Sequence, residues 1–239
     1  MAGGIRYFSA GPLTAFVIIL LIVVVIFLIP LVFLGIIGTA FTRLGLSWIA
    51  SLALVLLMLA GSYVNIPLFC IRRDMIQAVH LDTEGNALVS SSEVWPVWET
   101  IISINLGGAV LPLLIAAFLV YQAVMVNGIP LLGPVALCTA VCIAVSFISA
   151  REISGVGIQI SVLIPALTAL LAGLFLSGGQ TGLAAAVTAL AGGIFGVIAG
   201  GNLAHLPGAR NLDVPEVSIG GNGSFSSVFL CCILPALIA

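Results

Sequence analysis

Between residues 13 and 37 the chain carries no charged side chain, and apolar runs of similar kind recur to its end. About 20 apolar residues in a helix cross a hydrocarbon core of ~30 Å. Such a run must lie in lipid or be buried on every side, and composition decides for lipid. Only 6% of the 239 residues are charged and 62% are hydrophobic, whereas a soluble domain is about 25% charged. There is no lysine, and the six arginines (Arg6, Arg43, Arg72, Arg73, Arg151 and Arg210) form no basic stripe. Nucleic-acid binding is therefore not expected. The first run is too long for a signal-peptide core and no A-x-A site closes it, so it reads as a retained helix.

Seven apolar segments follow from this criterion: residues 13–37 (kinked at Pro30), 46–69, 101–126, 131–150, 158–176, 183–206 and the terminal stretch 217–239. The expected fold is all-α, a polytopic membrane helix bundle of six or seven transmembrane segments in a single domain spanning residues 1–239. The last apolar piece, 225–239, makes only about 22 Å of helix, so it is expected to be a short span or a re-entrant half-helix. Residues 70–99 form the one long polar loop, closing with Trp95 and Trp98 at the headgroup level. If the segments alternate, Arg6, Arg72, Arg73, Arg151 and Arg210 fall on one side and Arg43 alone on the other. The positive-inside rule makes the richer side cytoplasmic, and all eight acidic residues fall there as well. The expectation is a multi-pass protein of the cell membrane, its N-terminus and 70–99 loop in the cytoplasm and the lipid bilayer as its first partner.

No charged side chain lies deep in a segment, so the ionisable groups of ion-coupled pumps and proton relays are missing. The intramembrane polar set is neutral: Asn65, Asn105, Gln122, Gln159, Thr168, Thr188 and Asn202. Such side chains serve as helix bridges, or, for Asn65, Asn105 and Asn202 beside glycine or proline, as the lining of a shared cavity. Gly192, Gly196 and Gly200 line one helix face, which suits close helix packing or leaves room for a peptide or solute. Cys138 and Cys142 share a face at i,i+4, but their segment holds no histidine or acid; neither a metal nor a cofactor is expected. His205 follows Asn202 on one face. With Ser224, Ser226 or Ser227 it offers a serine–base arrangement oriented by Asp213 or Glu216; capping of a helix end is the simpler use. Gly220, Gly221, Asn222 and Gly223 form a flexible turn from which Ser224 or Ser226 can cap the next helix. That turn reads either as a plain helix cap or as an anion site at a helix N-terminus.

Four stretches carry a resemblance: GSYVNIP at 61–67, INLGGAVLP at 104–112, SGVGI at 154–158 and SIGGNGSF at 218–225. They resemble an uncharacterised family of prokaryotic multi-pass membrane proteins, a domain of unknown function, over nearly the whole chain. The resemblance implies an aspartate where Asn202 stands, in a Gly-Ala-Asp-Leu context, and another where Ser226 stands. Two membrane aspartates on consecutive segments, one beside a G-x-G, are similar to the presenilin and prepilin-peptidase type of intramembrane aspartyl protease. There the pair shares a proton and activates a water. Asn202 and Ser226 cannot ionise, so this chain is not expected to perform that chemistry. Pro235-Ala236-Leu237 is like the presenilin P-A-L motif, but it lies on the glycine motif's own segment and reads as chance. The expected site is therefore lined by Asn202, Gly220, Gly221, Gly223, Ser224 and Ser226, a protease-like scaffold lacking both acids that takes a membrane peptide. The alternative is a transporter or channel for a small solute passing Asn65, Asn105 and Gln122; a structural or assembly partner is the third class.

Overall fold

The computed structural model describes residues 12–72, 80–81, 87–88, 99–179, 181–212 and 214–237. The first apolar run is helical throughout, and α1 (Pro12–Arg43) continues past Pro30. Ser47 starts α2 (Trp48–Gly61), its hydroxyl accepting the Ala50 N–H, which satisfies one of the orphan donors of the first turn. Beyond Gly61 the second apolar run changes structure. A helix through Pro67 would lose its bond to the Tyr63 carbonyl, and the chain instead forms β1 (Asn65–Arg72). Within the polar loop β2 (His80–Leu81) pairs with β3 (Ala87–Leu88); Trp95 and Trp98 lie outside the described residues. Next come β4 (Glu99–Asn105), a π-helical turn at Leu106–Val110, α3 (Leu111–Asn127) and α4 (Leu132–Ser149). A hairpin of β5 (Ala150–Ile153) and β6 (Gly157–Ile160) leads to α5 (Leu163–Leu176) and α6 (Leu183–Gly196). A second π-helical turn at Val197–Asn202 and a 3-10 stretch at Leu203–Asn211 follow, then β7 (Glu216–Ile219) and α7 (Phe225–Ala236).

The all-α expectation is thereby corrected. β1, β4 and β7 form one mixed sheet in that order, β4 running antiparallel to β1 and parallel to β7. The apolar runs 46–69, 101–126, 158–176 and 217–239 each contain a strand, and the loop 70–99 begins and ends in one. The cause is local: Ile101-Ile102-Ser103-Ile104-Asn105 and Glu216-Val217-Ser218-Ile219 are isoleucine- and valine-rich with polar residues at spacing two, a strand pattern.

Among the described residues four helices are long and apolar enough to cross a membrane (Phe16–Arg43, Leu106–Asn127, Ile129–Ser149 and Leu183–Ala209), and α2, α5 and α7 are shorter apolar helices. The 12 residues of α7 make about 18 Å, in keeping with the shortness expected of the last segment. α6 is the central helix, buried from Ala185 to Ile194 and packed by α3, α4, α5 and α7. A Cβ on Gly192 would meet Cys138 Sγ at 2.5 Å, one on Gly196 would overlap the Cys142 Cβ, and one on Gly200 the Ile143 backbone. The glycine row is therefore filled by α4, and its use is close helix packing. Large apolar side chains such as Phe118, Leu137, Leu171 and Phe175 face outward, a surface suited to lipid rather than water. α1 joins the bundle through Ile37, Ala40, Phe41 and Leu44, while its residues 16–33 stay exposed.

Chain direction gathers the strands at one end. α2, α4 and α6 run toward them, and α3, α5 and α7 leave from them. Arg72, Glu99, Arg151, Glu152 and Glu216 all belong to these strands, whereas Arg43 closes α1 at the other end.

Candidate functional site

At the strand-bearing end the buried side chain of Asn105 organises three elements. Its Oδ1 accepts the Gly108 N–H at 2.7 Å, which caps the first π turn. Its Nδ2 donates to the Ser62 carbonyl at the end of α2 (2.7 Å) and to Asn65 Oδ1 in β1 (2.9 Å). Asn65 Oδ1 also accepts the Ser218 hydroxyl of β7 at 2.8 Å. One carboxamide oxygen thus links all three strands of the sheet. Beside it the Ser103 hydroxyl donates to the Glu216 carboxylate at 2.5 Å. Polar side chains consequently line one sheet face, while Ile102, Val217 and Ile219 are buried on the alternate positions.

The glycine turn is fixed against this network. Gly220 and Gly223 take φ of 74° and 92°, a region closed to most side chains. Gly220 packs directly on Gly108, and Gly221 on Ser218. The Gly223 carbonyl accepts the Ile160 N–H of β6 at 2.9 Å, and the Ser227 hydroxyl donates to the Ser161 carbonyl at 2.7 Å. Ser224 holds the N-cap position of α7 without capping it through its side chain; its hydroxyl turns back to the Gly221 carbonyl. The Ser224 and Phe225 N–H groups bond that same carbonyl, so they are already taken by the turn itself. The expected serine cap is thus corrected.

A cleft of about 150 Å³ opens where the sheet meets the β5–β6 hairpin, with Asn65, Glu216, Ser218 and Asn222 on one side and Gly157 and Ile158 on the other. Asn65, Asn105, Gly220, Gly221 and Gly223 are therefore brought together. Asn202 is not part of that network. It is 2% exposed, closes the second π turn and donates only weakly, at 3.5 Å, to Val197 of the same turn. Ser226 is exposed in the first turn of α7. α7 touches the π turn that ends in Asn202, but among the described residues no hydrogen bond joins Asn202 to Ser226.

His205 is committed elsewhere. Its Nδ1 lies 3.0 Å from Glu152 Oε1, its Nε2 3.2 Å from the Phe147 carbonyl, and its ring stacks on Phe147. It caps the last turn of α4 and faces none of Ser224, Ser226 or Ser227. Its acidic partner is Glu152; Glu216 bonds Ser103, and Asp213 lies outside the described residues. Sequence reasoning left Ser62, Ser103, Gly108, Ile158 and Ser218 out of the site. Ser103 stands in a period-two pattern, and the other four lie in the stretches that carry the resemblance.

These features define the class: a mostly helical chain with long apolar helices compatible with a membrane protein, capped at one end by a small mixed sheet. It belongs to the family described as protein of unknown function (DUF1614), whose profile matches residues 59–238. No curated protein and no solved structure matches it.

Proposed function

We propose that this chain is an integral membrane protein that holds a peptide segment at its strand-bearing, cytoplasmic end. Its scaffold is of the intramembrane aspartyl-protease kind, with both acid positions neutral. The observation supporting this reading is the placement of Asn202 and Ser226. One closes the π turn after α6 and the other stands in the first turn of α7, on elements in contact at the same end. π turns recur at functional sites. Asn202 stands buried and Ser226 exposed, so one position is shielded from water and the other is open to it. That is the division of labour a carboxylate pair needs. As it stands, the chain binds without hydrolysing.

The solute-path reading is disfavoured. Asn105 is bonded to Asn65, whereas Gln122 stands beside Gly45 near the far end. Along α3 between them Ala116 and Leu119 are sealed in the apolar core, on a helix packed against α6.

The test is the double variant Asn202→Asp/Ser226→Asp in lipid nanodiscs, assayed on a labelled membrane-spanning peptide beside both single variants and the parent. Cleavage by the double variant roughly 10²-fold above the others is the expected result. Equal rates in a folded double variant and the parent would overturn the protease-like scaffold.

A further inference from the structure

β6 and β7 face one another across the cleft without a backbone hydrogen bond between them. β7 holds β4 through the Pro215 carbonyl, which accepts the Ile101 N–H at 2.9 Å, and through Val217, opposite Ile102. Main-chain groups alternate sides along a strand, so those of Glu216 and the Ser218 N–H point away from β4 and into the cleft, while the Ser218 carbonyl accepts the Gly221 N–H of the turn at 3.3 Å. On the opposite wall Ile160 directs its N–H outward to Gly223, and Ile158, two residues earlier, faces the same way. The two edges are tied at the Gly223 end and open toward Gly157 and Glu216.

Sheet edges are commonly blunted by proline or a bulge. The outer strand β1 has both, Pro67 and an irregularity before Phe69. The β7 edge from Glu216 to Ile219 has neither. Glu216 is the one charged side chain on the cleft lining among the described residues.

We propose that this cleft binds an extended peptide by main-chain pairing with the β7 edge at Glu216 and the Ser218 N–H, a basic side chain of the peptide lying against the Glu216 carboxylate. The volume of about 150 Å³ equals about five waters. That is room for one peptide unit, so recognition runs over these two outward positions. The proposal rests on reading this end of the molecule as a peptide site.

The test uses the full chain in nanodiscs and a fluorescent acetyl-Thr-Val-Lys-Val-Thr-amide probe, read by anisotropy. N-methyl groups are placed on one alternate set of probe amides, then on the other. One set should weaken binding by about tenfold, the value of a lost hydrogen bond, and the other should change it less than about twofold. Replacing the probe lysine by glutamate should weaken binding, and Glu216→Gln should erase that preference. Equal effects of the two methylation patterns, or no saturable binding up to about 1 mM, overturn the proposal. Register-dependent binding without cleavage by the doubly restored chain would sink only the protease-like scaffold. Cleavage without register dependence would sink only the strand pairing.

Discussion

Gly108 and Gly220 meet backbone to backbone. A Cβ added to Gly220 would stand 2.6 Å from the Gly108 carbonyl carbon and oxygen, and Gly220 also has φ of 74°. The glycine turn and the first π turn are thereby locked into one unit.

Gly220→Ala should therefore carry both a steric and a conformational cost. Overpacking contributes about 1–3 kcal/mol, and the left-handed backbone about 1 kcal/mol more. Thermal unfolding in detergent would register this as a large drop in midpoint. Gly35→Ala is the control: its added Cβ meets nothing within 4 Å, and its midpoint should match that of the parent or exceed it slightly.

Asn105 can be separated from a generic packing residue by its substitutions. Asn105→Asp keeps an acceptor for Gly108 but turns a donor into a second acceptor facing the Ser62 carbonyl and Asn65 Oδ1. It should destabilise by about 2–4 kcal/mol near neutral pH, since the Ser62 carbonyl and Asn65 Oδ1 lose their donor and a new charge is buried at position 105. Lowering the pH protonates the new carboxyl and restores one donor, so part of the loss should be recovered in acid. A pH-independent loss would mean that the Nδ2 bonds contribute little.

The His205 tie makes a smaller prediction. His205→Phe preserves stacking on Phe147 but leaves Glu152 and the Phe147 carbonyl without the ring nitrogens. A cost of about 1–2 kcal/mol is expected, and hydrogen exchange should rise in the last turn of α4 and in the β5–β6 hairpin. Parent and variant alike should resist a serine-directed fluorophosphonate probe, because both imidazole nitrogens are committed to Glu152 and the Phe147 carbonyl.

The gathering of strands at one end predicts a labelling pattern. In sealed vesicles of a cysteine-free background, single cysteines at Gly155 and Glu99 should react from one side, and those at Gly128 and Gly178 from the other. The helices between them reverse direction each time. Labelling of Gly155 and Gly178 from the same side would break the alternation.

Much of this architecture was legible in the residues. The apolar runs announced the helices, and Arg43 stands apart from the strand-borne charges Glu99, Arg151, Glu152 and Glu216. The Gly220–Gly223 cluster announced a turn that needs positive φ at two of its positions. Asn65 and Asn105 were marked as candidate cavity residues, and they do meet. The sheet was hidden because its strands continue apolar runs, so hydropathy alone does not separate Ile101 from the helix that starts at Leu111. Pairings distant in sequence, such as Ser218 with Asn65 or His205 with Glu152, depend on how the helices stack and leave no local trace. Ser224 shows the opposite failure: a serine beside a helix start reads as a cap, yet the Gly221 carbonyl takes its hydroxyl.

Whether positions 202 and 226 form one site is tested most directly by infrared titration of isotope-labelled aspartate in Asn202→Asp/Ser226→Asp, with the parent spectrum subtracted. The account predicts that the band of each added carboxyl shifts as the other titrates, so the two behave as a coupled pair. A double-variant spectrum equal to the sum of the two single-variant spectra at every pH would contradict it.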